Sequence, residues 1–552
     1  MSATSPRSSA RPAGPPLSTR AKRWLYLIHR WAGVVLCLFF AMWFVSGVVM
    51  MYVGYPKLTP HERLTHLAPL DAARIAITPE QALAAAGKTR ADAPGLQLSA
   101  SRGGAPVYVV AGSVPGSAPG SAPGSAPNSS PVAPKVVDAA TGLLLPRADA
   151  TAAQATALAW FGGKYAAHYD GLVDEDVYTH SGALDVHRPL HRIDMSDPAR
   201  TRLYVSSATG AVVLDATRNE RAWNYVGAWV HWLYMFRGNA LDPWWHDIVV
   251  WLSVAGVVLA LTGTIVGILR WRFSRPYASG SRSPYRDNMM RWHHISGLLF
   301  AAITITWIFS GLMSMNPWKV FTSTAAPLAR SAYAAGATAA STAGATAGSA
   351  AASAARPATA TADAPLASPR DLIAALPAAP RELSWARNAG QDVVLARGAS
   401  GAPHVLSATQ AAPYAFDEAT LRQAATQLLP GATLREVQVL RQYDVYYYAR
   451  DEHAMLGHVE KPLPVWRLVY DNPQATWVYL DPHTGQIQGR QDRSTRVSRW
   501  LFAFLHSWDW TGLLSRRPLW DALLIFLSLG GAALSLTGVV IGWRRLGKKL
   551  RG

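Results

Sequence analysis

The chain has 552 residues, half of them hydrophobic and only 16% charged, with 52 basic against 34 acidic side chains and a formal charge of +18. A single cysteine, Cys37, excludes an intrachain disulfide and a cysteine metal cluster, and reads as a small residue facing lipid or a neighbouring helix. Nor does the charge point to nucleic acid: it gathers in Arg7 to Arg30, Arg270 to Arg291 and Arg544 to Arg551, each beside a long apolar run, as in segments kept on the cytoplasmic side of a membrane.

A basic tail, 1–23, precedes the first apolar run, 24–53. This run exceeds the roughly 20 residues that a span needs. It is longer than a signal-peptide core and no small-x-small cleavage site closes it, so it predicts an uncleaved anchor. Residues 54–221 follow as an external domain, interrupted by a Gly/Ser/Ala/Pro linker at 113–130, and 222–238 read as an interfacial helix. The second span is 243–270, with Pro243 at its first helical position and Asp242 as its N-cap. A cytoplasmic loop, 271–291, leads to a third span, 292–315. Then come a second external domain, 316–496, with a low-complexity linker at 323–368, and a second interfacial helix, 497–510. A fourth span, 518–543, opens on Pro518 and ends in a basic tail, 544–552. With all three basic clusters inside, both termini are cytoplasmic and both domains lie on the far side.

Self-comparison divides the chain into two related halves. At a shift of 264, His29 falls on His293, Gly33 on Gly297, Trp43 on Trp307, Ser46 on Ser310 and Gly47 on Gly311. At a shift of 275, Arg192 falls on Arg467, Tyr204 on Tyr479, His231 on His506, Trp245 on Trp520, Thr262-Gly263 on Thr537-Gly538 and Gly267 on Gly542. Each half starts in the cytoplasm, so the halves form parallel repeats about an axis along the membrane normal, and matching residues sit at matching depth. The expected fold is an α-helical membrane protein of four spans in two parallel repeats, with extracytoplasmic α+β modules built on antiparallel hairpins.

Those hairpins are legible. Arg202 to Val213 reads as strand, Thr-Gly turn and strand; Thr476 to Ile487 repeats it, and Val136 to Leu145 is a third copy. The Asp-x-x-Thr-Gly hairpins resemble PepSY modules. With Arg291-Trp-His-His-Ile-Ser-Gly-Leu298 and Trp307-Ile-Phe-Ser-Gly-Leu312, the doubled order of helix, module and helix resembles the PepSY-associated transmembrane helix family over nearly the whole chain. The resemblance implies an inner-membrane protein of a bacterium with periplasmic modules. Some members resemble haem-containing ferric-siderophore reductases, and others are known only as iron-regulated membrane proteins.

Ionisable residues at membrane depth are expensive and point to a task. His29 and His293 are aligned near the cytoplasmic ends of the first and third spans; His231 and His506 are aligned in the aromatic segments before the second and fourth. Haem iron takes axial imidazoles from opposite faces of the porphyrin, which a pseudo-twofold axis supplies. The reading is therefore haem b, one or two per chain, with His29 and His293 as one ligand pair and His231 and His506 as the other. Spacing alone leaves His293 and His294 open; the alignment favours His293 and leaves His294, opposite Arg30, as a partner for a propionate. The bland reading of each histidine is an interfacial anchor. His246 aligns with Asp521 and so has no histidine mate. The small-xxx-small stripes Gly263/Gly267 and Gly538/Gly542 read as helix packing that also makes room for a flat cofactor. His180, His187, His191, His453, His458 and His483 match no zinc spacing, and no catalytic triad, His-Glu-x-x-His, P-loop or dinucleotide motif is present.

The first functional expectation is haem-dependent electron transfer across the bilayer, from quinol or a cytoplasmic donor to an external acceptor such as a ferric siderophore. A second is a membrane-anchored binding or regulatory protein whose modules hold a peptide or protease. A third, a transporter component, is disfavoured by the small number of spans.

Overall fold

The computed structural model describes residues 17–112, 132–336, 364–450 and 459–550. The expected linker at 113–130, most of that at 323–368, the first sixteen residues, His453, His458 and the last two residues lie outside the described residues. The chain divides into two compact units: one of Met1–Val49, Val230–Lys319 and Trp500–Gly552, the other of Met50–Trp229 and Val320–Arg499.

The first unit is helical. It contains α1 (Leu17–Met50), α2 (Trp245–Arg270), α3 (Asn288–Leu299), α4 (Ala301–Ser314) and α5 (Leu519–Leu550). Among the described residues, three stretches are long and apolar enough to cross a membrane: Thr19–Met50, Asp242–Arg270 and Leu519–Lys548. The expected third helix is not continuous. It breaks at Phe300, and α3 and α4 meet at a 69° bend. Sharp bends without proline arise at Gly/Ser pairs. Ser296-Gly297 stands one turn before this one, and Ser296 Oγ donates back to the Trp292 carbonyl at 2.7 Å. The aligned position in α1, which runs unbroken, is Ala32.

Two further expectations need correction. Asp242 is not an N-cap: it lies inside a short 3-10 turn, Asp242–Trp244, where its carboxylate pairs with Arg237 at 2.7 Å and accepts from the Gly238 N–H. The segments 222–238 and 497–510 are not single helices either. Each passes through a π-helical turn, Tyr225–Trp229 or Arg499–Phe504, and then reverses at a left-handed residue two positions after its histidine, Leu233 (φ 55°) or Trp508 (φ 49°).

Among the described residues the second unit holds fifteen strands. One four-stranded antiparallel sheet is β5 (Ala167–Val173), β6 (Leu190–Met195), β7 (Arg202–Ser206) and β8 (Val212–Ala216), in that order. Helix Ala150–Trp160 covers one face through Ala153, Ala157 and Trp160 against Ile193, Leu203 and Val205. The other four-stranded sheet is β12 (Thr433–Leu440), β13 (Val465–Asp471), β14 (Trp477–Leu480) and β15 (Ile487–Gln491), covered by Glu418–Ala425. The Thr-Gly turns stand where expected, with Gly142, Gly210 and Gly485 at φ 76°, 76° and 66°, a conformation glycine adopts without steric cost. A fourth such turn, Ser407-Ala-Thr-Gln-Ala411, escaped the sequence reading because alanine holds the left-handed place at φ 51°. Part of the expected second linker is folded: Arg330–Ala335 is a helix whose Tyr333 is 2% exposed and donates to the Gly485 carbonyl at 2.6 Å.

The two domains expected at 54–221 and 316–496 do not form separate domains. The seven-stranded sheet joins β1 (Leu96–Arg102), β2 (Ala105–Val110), β3 (Lys135–Asp138) and β4 (Leu144–Leu145) to β9 (Glu382–Asn388), β10 (Gln391–Arg397) and β11 (His404–Ser407) through antiparallel pairing of β1 with β9, Leu98 opposite Leu383. One core, with Leu83, Leu98, Tyr108, Leu372, Leu383 and Trp385, is drawn from both halves. At this seam the buried Glu382 carboxylate accepts from Arg63 at 2.5 Å, from Arg397 at 3.3 Å and from the Gln97 amide. Burial alone pushes this carboxyl up; the two guanidiniums and the amide outweigh it and hold it below the usual glutamate range. A lowered carboxyl pKa stabilises the fold above the unfolded value, and that contribution is lost as pH falls through the folded one. Glu382→Gln is therefore expected to cost about 2 kcal/mol at pH 7, less than a fully buried pair because both arginines keep some solvent contact. Denaturant unfolding of the full-length protein measures this, and the difference from wild type should close as pH falls below the glutamate range.

Candidate cofactor site in the helical unit

The helical unit packs around Leu36, Phe40, Phe44, Leu259, Ile308 and Ala532, all buried. Close approach depends on glycine. A Cβ on Gly531 would stand 2.3 Å from the Phe44 ring, and one on Gly256 would stand 2.9 Å from Phe40. Such small-residue faces let helix backbones approach where no hydrophobic drive joins them.

Two histidine pairs flank this core along α1. His29 on α1 and His293 on α3 place their ring centres 6.3 Å apart, inclined at 34°. His231 and His506, on the segments that lead into α2 and α5, place theirs 6.1 Å apart, inclined at 76°. All four rings are half-buried. His231 meets Ser46 on α1 (Nδ1 to Oγ, 3.0 Å), and His506 meets Ser310 on α4 (2.9 Å).

The hydroxyls favour one tautomer of each ring. Ser46 Oγ donates its one hydrogen to the Met42 carbonyl at 2.7 Å, and Ser310 Oγ gives its own to the Trp307 carbonyl at 3.0 Å. With that hydrogen given to the carbonyl, the serine–histidine contact is a hydrogen bond only when Nδ1 carries the proton, the tautomer that leaves the lone pair on Nε2. His293 follows the same logic. Thr537 Oγ1 donates to the Leu534 carbonyl at 2.7 Å, so His293 Nδ1 donates to Thr537 Oγ1 at 3.1 Å and to Leu534 O at 3.3 Å. His29 faces the Leu259 carbonyl, the counterpart of Leu534, although its buried Nδ1 makes no close hydrogen bond there. Its ring lies on the bare backbone of Gly263, where a Cβ would come within 2.6 Å of Cε1. Gly538 gives the same clearance to Cys37 Sγ, 2.5 Å from a Cβ placed there, and lies 3.4 Å from His293 Cε1 on the same measure.

The peptides beside the His231–His506 pair are pinned by indoles. Trp43 Nε1 donates to the His231 carbonyl at 2.9 Å, Trp245 Nε1 to Trp232 O at 2.8 Å and Trp520 Nε1 to Ser507 O at 3.1 Å. The Ser-Gly and Thr-Gly pairs were legible in the sequence as packing residues; their hydroxyls as acceptors for imidazole were not. The signal that would have found them is their recurrence at aligned positions together with the histidines.

His294 is removed from the ligand set. It is 6% exposed, and both ring nitrogens are engaged, Nδ1 with Ser283 Oγ at 2.8 Å and Nε2 with the Gly267 carbonyl at 2.9 Å. It ties α3 to the end of α2 and has no nitrogen left for iron or a propionate. His246 likewise spans to the Met315 carbonyl at 3.0 Å. In the other unit, His191 is bonded to Tyr169 and Ala148, His483 to Pro403, and His180 to Glu175; burial drives His187 down to about 4. Among the described residues, no group of three or more His, Cys, Asp or Glu is placed to hold a metal ion. A haem asks the protein for only two axial donors, and paired imidazoles are that donor set.

No curated protein matches the chain. The family model of the PepSY-associated TM region matches residues 26–545. A match over that span, taking in all four histidines of the two pairs, makes the chain a membrane protein that belongs to the PepSY-associated TM region family.

Proposed function

We propose that this protein carries electrons across a bacterial inner membrane on two b-type haems, one held by His29 and His293, the other by His231 and His506. The observation that carries the reading is the near-equal separation of the two pairs, 6.3 and 6.1 Å between ring centres. A metal–imidazole bond of about 2 Å, with each ring centre roughly 1 Å behind its nitrogen, separates two axial rings by roughly 6 Å. The lone pair left on Nε2 of His231 and His293, and the glycine cradle under His29, support the same donor set.

Each bound haem would supply one-electron carriage, which no side chain here provides. The protein's own part is to fix ring tautomers through Ser46, Ser310 and Thr537 and to keep water from the apolar layer between the pairs. In this reading α3 and α4 count as one bent span, which gives four spans in two parallel repeats. The basic clusters face the cytoplasm and the β-sheet unit faces the periplasm. The donor is quinol or a cytoplasmic reductant. The acceptor is a ferric siderophore, whose hard oxygen ligands hold iron(II) less firmly than iron(III).

Two measurements test the reading. Purified protein reduced with dithionite is expected to show b-type Soret and α bands. His29→Ala and His231→Ala should each lose about half of the haem per chain, with the elution volume on size exclusion unchanged; haem content equal to wild type in either variant removes that pair. Separately, Ser46→Ala, Ser310→Ala and Thr537→Val remove the hydrogen-bond partners behind the ligands, a change that elsewhere weakens metal binding 10–100-fold. Haem affinity and midpoint potential identical to wild type in all three variants would leave the tautomer argument without support.

A further inference from the structure

Inside the helical unit, two polar atoms on α4 are buried without a partner. Thr304, itself 4% exposed, has no hydrogen bond from its Oγ1, and Trp307 has none from its buried Nε1. Three residues apart, they share one face of the helix. Their neighbours are otherwise satisfied. Thr306 Oγ1 donates to the Ala302 carbonyl at 3.0 Å, and Ser310 Oγ to that of Trp307. Leaving two such groups unmet in an apolar interior is costly, so each unmet group asks for a partner the chain does not contain.

The aligned half shows what changed. The position of Thr304 is Phe40 in α1, and that of Ile308 is Phe44. The position of Trp307 is Trp43, whose Nε1 is satisfied by the His231 carbonyl. The second half thus replaces two phenyl rings by smaller side chains, one of them a hydroxyl, and leaves its indole N–H unspent. What surrounds Trp307 is apolar, with the Phe44 ring centre 5.9 Å from its own. Along α4, Trp307 and Thr304 lie about 4.5 and 9 Å from Ser310, the residue that holds His506.

We infer that Thr304 Oγ1 and Trp307 Nε1 bind the carbonyl oxygen of a lipid-soluble quinone, at the level between the two histidine pairs. A carbonyl oxygen has two lone pairs, one for a hydroxyl and one for an indole N–H, and the apolar neighbours of Trp307 suit an apolar ring. For the hydroquinone form, the Thr304 hydroxyl turns to accept from the quinol O–H. This rests on the electron-transfer reading and deepens it, since it names where the donor docks.

The test is the affinity of detergent-purified full-length protein for decylubiquinone, with haem content recorded for every sample. Wild type is expected to bind it, and to gain thermal stability from it. Thr304→Val and Trp307→Phe should each weaken binding about tenfold, the equivalent of one lost hydrogen bond. Thr306→Val, on the same helix, should leave it unchanged. Without quinone, Thr304→Val should unfold at a temperature no lower than wild type, because it removes an unpaired hydroxyl. No binding by wild type, or equal affinity in wild type and both variants, overturns the site. Loss of haem in Trp307→Phe with quinone affinity intact assigns the oxygen to a porphyrin carboxylate and also overturns it. Binding that depends on Thr304 in protein without haem keeps the quinone site and overturns the haem reading instead.

Discussion

A hydroxyl has one hydrogen to give, and on an apolar helix its nearest acceptor is the carbonyl one turn back. Ser46, Ser310 and Thr537 all spend theirs in this way. Facing an imidazole, each can then only accept. The consequence passes outward: all of these contacts are met together when Nδ1 of the facing histidine carries the hydrogen and Nε2 is the basic nitrogen. In the proposed haem reading, the use of these rings as ligands depends on where serine and threonine stand on neighbouring segments.

The glycines serve the same arrangement by subtraction. An imidazole lies against α2 because Gly263 has no side chain, and phenyl rings close the middle of the unit because Gly256 and Gly531 have none. His293 and His294 show how finely this is divided. Adjacent on α3, they point about 100° apart. One is half-buried with a nitrogen to spare. The other is buried, with both nitrogens spent on Ser283 and Gly267.

The β-sheet unit is organised by a different constraint. A strand with one unpaired edge and one bare apolar face is an invitation to association. β1 and β9, each the edge of a small sheet in its own half, pair with each other and share one core. The price is a buried carboxylate at the seam, Glu382, matched by two arginines and an amide.

Much was legible in the sequence, because hydrophobic length, basic flanks and turn residues act locally. The apolar runs, the Thr-Gly hairpins and the two histidine alignments can all be read from residues near one another in the chain. What escaped was set by residues far apart. The bend at Phe300 has only a Ser-Gly pair to announce it, and the turn at Ala411 lacks its glycine. The fused sheet needs β1 and β9 side by side, 285 positions apart at Gln97 and Glu382. Choosing His293 over His294, and finding Thr304 and Trp307 unpaired, required knowing which atoms had found partners. Sequence by itself determined which residues are apolar enough to leave water and which imidazoles correspond. Only the tertiary structure decided which polar atoms are satisfied, because hydrogen bonds are counted between neighbours in space.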